Sequence, residues 1–327
     1  MIIVRAPLRV SLGGGGTDLP GYFEKNNGFV VSAAIDKFIT IVINENLKNR
    51  FEIKYSEYEN VKTIDNIKHN IIRECLRLVN IKEGMEISSF SDVPHGTGLG
   101  SSGSFTVCLL KGLFFYKNIK ISNKELALKA FHVERNILKQ PVGYQDQLTA
   151  ACGGLLLQKY SKNRIYIKNL KIKKLFKKNF NSRLILIYSS ITRFSKKILK
   201  RQDSLSKKNN KEIVSSLDEI KKNSYEIFEN SIKKNLKDYG KYLDQYWKIK
   251  KKIDKKITNK KINKIIKICK KNDADGCRVV GAGAGGYILT HSKNFKKLKN
   301  ELIKNNILFL PIKIEQKGVS IIDSYNK

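Results

Sequence analysis

The apolar positions of the first dozen residues alternate as in a strand. Ile3, Leu8, Val10 and Leu12 carry the beat around Arg5, Pro7 breaks it, and Gly13 to Gly16 stop it. Residues 29–46 (FVVSAAIDKFITIVINEN) predict one or two further strands, and residues 51–55 (FEIKY) another. Helical spacing over residues 67–79 predicts a helix, and residues 85–91 (MEISSFS) return to strand. A loop with Pro94 and several glycines leads into an apolar helix over residues 101–116. Ser122 with Glu125 three residues on reads as a capping box, opening a helix to about Lys139. Pro141 and Gly143 then separate a short segment, Tyr144 to Cys152, from strands at 154–159, 164–168 and 183–188.

From 192 to 271 the pattern is helical, with turn signals near 207–210, 235–240 and 258–260. Residues 277–290 read strand, glycine-rich loop, strand. A helix at 293–304 and strands at 308–315 and 318–323 complete the chain. No internal repeat is evident. Strands and helices mix without a regular βαβ alternation, which predicts an α+β protein of two domains rather than a doubly wound sheet. The polar stretch KKNFNS near 175–182 is the expected boundary, giving domains 1–178 and 179–327.

Length and charge sharpen this picture. A chain of 327 residues can bury a substantial core. It has no run of 18 apolar residues to span a bilayer, and Met1 to Val4 enter a strand pattern at once, so neither membrane span nor leader is expected. Five scattered cysteines without a CxxC argue against a disulfide framework or zinc site and suit the cytoplasm. Lys and Arg number 64 against 29 Asp and Glu, a net +35, which raises nucleic acid as a ligand. The excess is mostly Lys, travelling with Asn and Ile as AT-rich coding produces. Residues 159–272 hold 36 basic and 9 acidic residues with no arginine–aromatic interleaving. A solvated helical face, or some charge serving an anionic small molecule, accounts for it better. The expected partner is a small molecule, with no nucleic acid, no membrane, and a homodimer left open.

Three glycine-rich stations carry the chemistry. Gly13 to Gly16 with Thr17 and Asp18 follow the first strand. Four glycines allow close backbone approach, and Thr17 and Asp18 stand where sugar hydroxyls would bind. The second station runs from Pro94 to Ser104. Its glycines expose N–H groups before a helix N-terminus, and Ser101, Ser102 and Ser104 add hydroxyls, a setting for polyphosphate. No Lys follows these glycines, so the loop is not a Walker A motif. Gly98, Gly100 and Gly103 fit GxGxxG, as do Gly281, Gly283 and Gly286, but neither copy has the strand and acidic residue of a dinucleotide site. The third station, Val279 to Ile288, either packs tightly between strands or closes over a ligand.

In this order and spacing the motifs RAPLRVSLGGGGTDLP, DVPHGTGLGSSGSF and VVGAGAGGYIL resemble those of the GHMP kinases over almost the whole chain. The resemblance implies an N-terminal domain like ribosomal protein S5 domain 2, a ferredoxin-like C-terminal domain, and ATP with Mg²⁺ between them. GGGGTD, with GYQDQLTAACGG later, is most similar to the sugar-1-kinase branch that includes kinases of D-glycero-D-manno-heptose 7-phosphate. The implied reaction is phosphorylation of that sugar's anomeric hydroxyl, toward the heptose of surface polysaccharides. Galactose or L-fucose phosphorylation is the alternative, and a nucleic-acid-binding protein on a kinase-like scaffold a more distant one.

The resemblance also implies roles. Gly96, Gly98, Gly100, Ser101, Ser102 and Gly103 would hold ATP. Ser102 and Glu134 (in AFHVERN) would hold Mg²⁺, which takes oxygen ligands and keeps waters. Asp146 would take or orient the proton of the attacking hydroxyl, against the plainer reading of a helix N-cap. Arg9 would steady developing charge or favour the ionised Asp146. Thr17, Asp18, Gly283 and Gly285 would contact substrate. Arg193, after a strand and before a helix, would meet the sugar's distal phosphate unless it is an ordinary surface arginine. Ala284 stands where a glycine is common, a difficulty only if its φ must be positive.

Overall fold

The computed structural model describes residues 1–191 and 196–324. Strands β1 (Ile2–Gly13), β2 (Gly28–Glu45), β3 (Phe51–Lys54), β4 (Tyr58–Val61), β5 (Met85–Ser91), β6 (Leu155–Ser161) and β7 (Arg164–Asn169) form one sheet. Strands β8 (Leu184–Tyr188), β9 (Ala274–Val279), β10 (Tyr287–Ser292) and β11 (Phe309–Pro311) form a second, in the order β11-β8-β10-β9. The last strand, β12 (Ser320–Ser324), returns to the first sheet against β1. The chain is thus α+β with two sheets.

Residues 29–46, expected as one or two strands, make one long strand. The first part of β2 pairs with β6 and its second part with β5, while β1 runs antiparallel along both. On β1, Val4, Ala6, Leu8, Val10 and Leu12 are fully buried. The intervening positions face the other way, and this sends Arg9 and Ser11 toward the site described below. The β1–β2 register shifts at Pro7/Leu8, where proline has no N–H for the ladder.

The helices are α1 (Pro20–Asn26), α2 (Asn70–Leu78), α3 (Ser101–Tyr116), α4 (Asn123–Phe131), α5 (Gln145–Cys152), α6 (Lys174–Arg183), α7 (Lys196–Lys207), α8 (Lys211–Glu226), α9 (Tyr239–Ile253), α10 (Lys260–Lys271) and α11 (Phe295–Lys304). The capping box at Ser122 forms in full, and α7 to α10 break near the expected turns.

Three features depart from the sequence expectation. The polar stretch expected as a boundary is helix α6, running straight into β8. Phe176 and Phe180, one turn apart, bury its apolar side. Residues 20–26 form a short helix with Pro20 in its first turn. The helix expected to reach Lys139 is α-helical only to Phe131, then opens into a π-helical turn over His132–Ile137. No helix among the described residues is long and apolar enough to cross a membrane.

Candidate active site

Gly96, Gly98 and Gly100 take φ of 70°, 85° and 76°, a region that favours glycine. They bend the chain so that α3 starts at Ser101 with Gly100 in the N-cap position. The first helical bond inside α3 runs from Ser104 N–H to Gly100 O at 3.0 Å. The N–H groups of Ser101, Ser102 and Gly103 precede it and are available to an anion, with the helix dipole behind them. Gly103 has a second duty. A Cβ there would lie 2.7 Å from Asp146 Cβ, so its bare backbone lets the start of α5 close on α3.

The π-helical turn carries Glu134 to a fully buried position. Such turns insert a residue and re-aim side chains, often at functional sites. Glu134 Oε2 accepts from Ser102 Oγ at 2.5 Å, and Oε1 accepts from Gln147 Nε2 at 2.8 Å. Burial, and then the charge of Asp146, push its carboxyl up to about 7. A buried carboxylate beside an exposed serine hydroxyl, at the N-terminus of α3, is a pair of hard oxygen donors. That donor set fits Mg²⁺ completed by water and phosphate oxygens.

Asp146 sits in the first turn of α5, but it does not cap the helix. Its carboxylate turns to Arg9, whose Nε donates to Oδ1 at 2.7 Å and whose Nη2 makes an ion-pair contact with the same oxygen at 2.6 Å. Arg9 Nη1 donates to Gly98 O at 2.7 Å, and Arg9 N to Leu99 O at 3.0 Å, so one buried arginine ties Asp146 to the glycine loop. Asp18 lies alongside. Its oxygens accept N–H bonds from Gly16 at 3.0 Å and Gln145 at 3.1 Å, and burial followed by the charge of Asp146 raises its carboxyl pKa. Thr17 points into the protein. It is fully buried, and its hydroxyl donates to the carbonyls of Gly14 and Phe29, bracing the loop that holds Asp18.

Arg9, Asp18 and Asp146 line a cleft of about 80 Å³. Its far wall comes from the second half of the chain: Tyr246 and Lys250 of α9, Arg278 of β9, and Gly281 and Ala282. Lys250 Nζ donates to Gly281 O, and Arg278 Nη2 to Ser11 O. The sequence reading missed both cations. The only signal was their register, one turn after Tyr246 and just before the third glycine station.

The third station closes on the second. A Cβ on Gly281 would stand 2.6 Å from Gly98 Cα, and one on Gly286 would stand 2.3 Å from Thr97 O. Gly283 and Gly285, expected at the substrate, do not line this cleft; they pack against Ile257 and against the carbonyl of Ile191, neighbours that leave no room for a side chain. Gly281 and Ala282 take their place at the cleft. Ala284 does adopt positive φ, 69°, its N–H donating to Ile257 O. Arg193 lies outside the described residues.

Residues 66–154 match the family model of the GHMP kinases N terminal domain. Over 300 residues, 88% of each chain, the protein is 29% identical to the D-glycero-alpha-D-manno-heptose 7-phosphate kinase of Campylobacter jejuni subsp. jejuni serotype O:2. A putative sugar kinase from Campylobacter jejuni superimposes with a TM-score of 0.79 at 25% identity, over 98% of this chain and 97% of that one. A D-glycero-D-manno-heptose 1-phosphate kinase from Bacteroides thetaiotaomicron shares the fold over the whole of both chains, with a TM-score of 0.82 at 20% identity. The match spans the glycine loop at 96–103, Glu134 and Asp146 together, so over residues 66–154 the chain is similar to the N-terminal domain of the GHMP kinases.

Proposed function

We propose that this protein is an ATP-dependent sugar kinase that phosphorylates the anomeric hydroxyl of D-glycero-D-manno-heptose 7-phosphate, giving the 1,7-bisphosphate. The observation that carries the reading is Asp146, clamped through Oδ1 beside Asp18 in a cleft that also holds buried cations. The similarity to a heptose 7-phosphate kinase over most of both chains supports the choice of sugar. The cations favour an anionic acceptor over galactose or L-fucose.

In this reading Asp18 binds sugar hydroxyls and Asp146 Oδ2 takes the proton of the anomeric hydroxyl. That oxygen attacks the γ-phosphorus of ATP, the bond from the γ-phosphorus to the bridging oxygen breaks, and ADP leaves. The first-turn N–H groups of α3 and the loop Gly96 to Gly100 hold the phosphates. Ser102 and Glu134 would hold Mg²⁺, which neutralises phosphate charge. The setting proposed is the cytoplasm, where the five unpaired cysteines are stable.

The test is a coupled ADP-release assay over galactose, L-fucose, mannose, mannose 6-phosphate, sedoheptulose 7-phosphate and the heptose 7-phosphate. The expected result is the highest kcat/KM for the heptose 7-phosphate. A maximum on an unphosphorylated sugar overturns the substrate and leaves the kinase chemistry standing.

A further inference from the structure

Three cations face the cleft: Arg9, Lys250 and Arg278. Arg9 is fully committed, its fork divided between Asp146 and the Gly98 carbonyl. The other two are not. Lys250 is buried, 6% exposed, and burial followed by the charges of Arg278 and Arg9 holds its pKa well below that of an ordinary lysine; among the described residues its Nζ meets only the carbonyl of Gly281, so it has donors to spare for a ligand whose negative charge would favour the ammonium. Arg278 is 1% exposed. Its guanidinium lies 4.3 Å over the Tyr246 ring and spends Nη2 on the Ser11 carbonyl, while its buried Nε has no partner among the described residues.

Burying a lysine and an arginine side by side is costly unless something answers their charge. Carbonyl oxygens supply dipoles but no countercharge. The carboxylates of the cleft, Asp18 and Asp146, are engaged elsewhere, with the N–H groups of Gly16 and Gln145 and with Arg9. The site is also firmly built. Tyr246 Oη donates to Gly15 O at 2.8 Å, fixing the ring on which Arg278 rests. Lys250 follows Tyr246 by one turn of α9. Neither Ser102, Glu134 nor residues 96–103 line this cleft, whereas Asp18 does, so the two cations stand on the acceptor's side.

From this we infer that Lys250 and Arg278 form a binding subsite for the phosphate of a phosphorylated sugar acceptor. The inference rests on the kinase reading above and assigns the recognition of the acceptor's phosphate to residues of α9 and β9. A phosphate dianion between them takes up the spare ammonium hydrogens and the unpartnered Nε–H, as charge-assisted bonds. Its fixed distance from the anomeric carbon then sets the sugar in front of Asp146.

The experiment compares the heptose 7-phosphate with the same heptose lacking phosphate as acceptors for the wild-type chain, Lys250→Met and Arg278→Gln. In the wild type, inorganic phosphate is added as a competitor. Thermal melts report whether each variant is folded, and the phosphate competition needs no variant. The expected result is a KM for the heptose 7-phosphate raised about 10- to 100-fold in Lys250→Met. The effect on kcat/KM for the unphosphorylated heptose should be at least tenfold smaller, and inorganic phosphate should compete with the 7-phosphate acceptor rather than with ATP. A wild type that prefers the heptose 7-phosphate while Lys250→Met affects both acceptors alike, or lowers kcat at constant KM, overturns the subsite and leaves the substrate reading intact. A wild type that prefers the unphosphorylated heptose overturns both.

Discussion

Every polar side-chain contact that Asp146 receives among the described residues falls on Oδ1: a hydrogen bond from Arg9 Nε at 2.7 Å, an ion-pair contact with Arg9 Nη2 at 2.6 Å, and a long hydrogen bond from Gln145 Nε2 at 3.5 Å. The second oxygen accepts none of these, and in the proposed reaction it takes the acceptor's proton. Arg9 also reaches the Gly98 carbonyl, so the geometry needs a planar fork with three donors in fixed directions. Arg9→Lys offers one point of attachment and cannot hold both partners. Turnover should fall on the order of 10²-fold with the ATP dissociation constant little changed, as a small misplacement of a reacting group costs. Steady-state kinetics with calorimetric ATP titration decides it, and wild-type kcat would remove the clamp from the mechanism.

Asp146→Asn keeps the shape of the side chain and removes the proton acceptor. The expected loss of kcat is on the order of 10²–10⁴-fold, with ATP binding and the thermal melt retained. A folded variant turning over at the wild-type rate contradicts the role.

Glu134 links the site to pH. Its folded value is about 7 against an ordinary 4.5, so between these the unfolded chain releases a proton that the folded chain keeps. The folded state then binds more protons, and stability falls as pH rises through this window. It is fully present below about 4.5 and lost, on the order of 3 kcal/mol, above about 7. Urea unfolding of metal-free protein at pH 5 and pH 8 should show this decline, and Glu134→Gln should flatten it. Parallel declines in both proteins would place the titration elsewhere.

Gly143 is where Asp18 is accommodated. A Cβ there would fall 2.1 Å from Asp18 Oδ2 and 2.7 Å from its carbonyl oxygen. Gly143→Ala should push Asp18 aside and raise the acceptor KM by roughly tenfold or more, sparing that of ATP, because the nucleotide loop lies apart from this contact. Equal effects on both constants would show general damage instead.

Ala284 holds a left-handed backbone with a methyl group attached. That conformation costs an L-residue roughly 1–2 kcal/mol, and glycine relieves it at the expense of some unfolded-state entropy. Ala284→Gly should raise stability by roughly 0.5–1 kcal/mol in a urea titration. A fall would mean that the alanine makes packing contacts worth more than the strain.

Elements whose signals are local could be read directly from the chain. Strand alternation in β1 and β2, the Ser122 capping box, the turns between α7 and α10 and the glycines that need positive φ at 96, 98 and 100 all follow from neighbours in the chain. Motif order was enough to single out Ser102, Glu134 and Asp146, and the structure joins Ser102 to Glu134 and Arg9 to Asp146. The rest depended on contacts between distant parts of the chain. A glycine in a sequence does not say whether a ligand or another stretch of chain lies against it, and at 103, 283 and 285 it is the chain. A π-helical turn at Glu134 is invisible to a 3.6-residue period, since one inserted residue leaves the apolar pattern nearly unchanged. Lys250 is one of 36 basic residues between 159 and 272, indistinguishable by composition from its solvated neighbours. What sets it apart is burial, imposed by the packing of α9 on β9 and the close approach of Gly281 to Gly98, contacts between residues far apart in the chain.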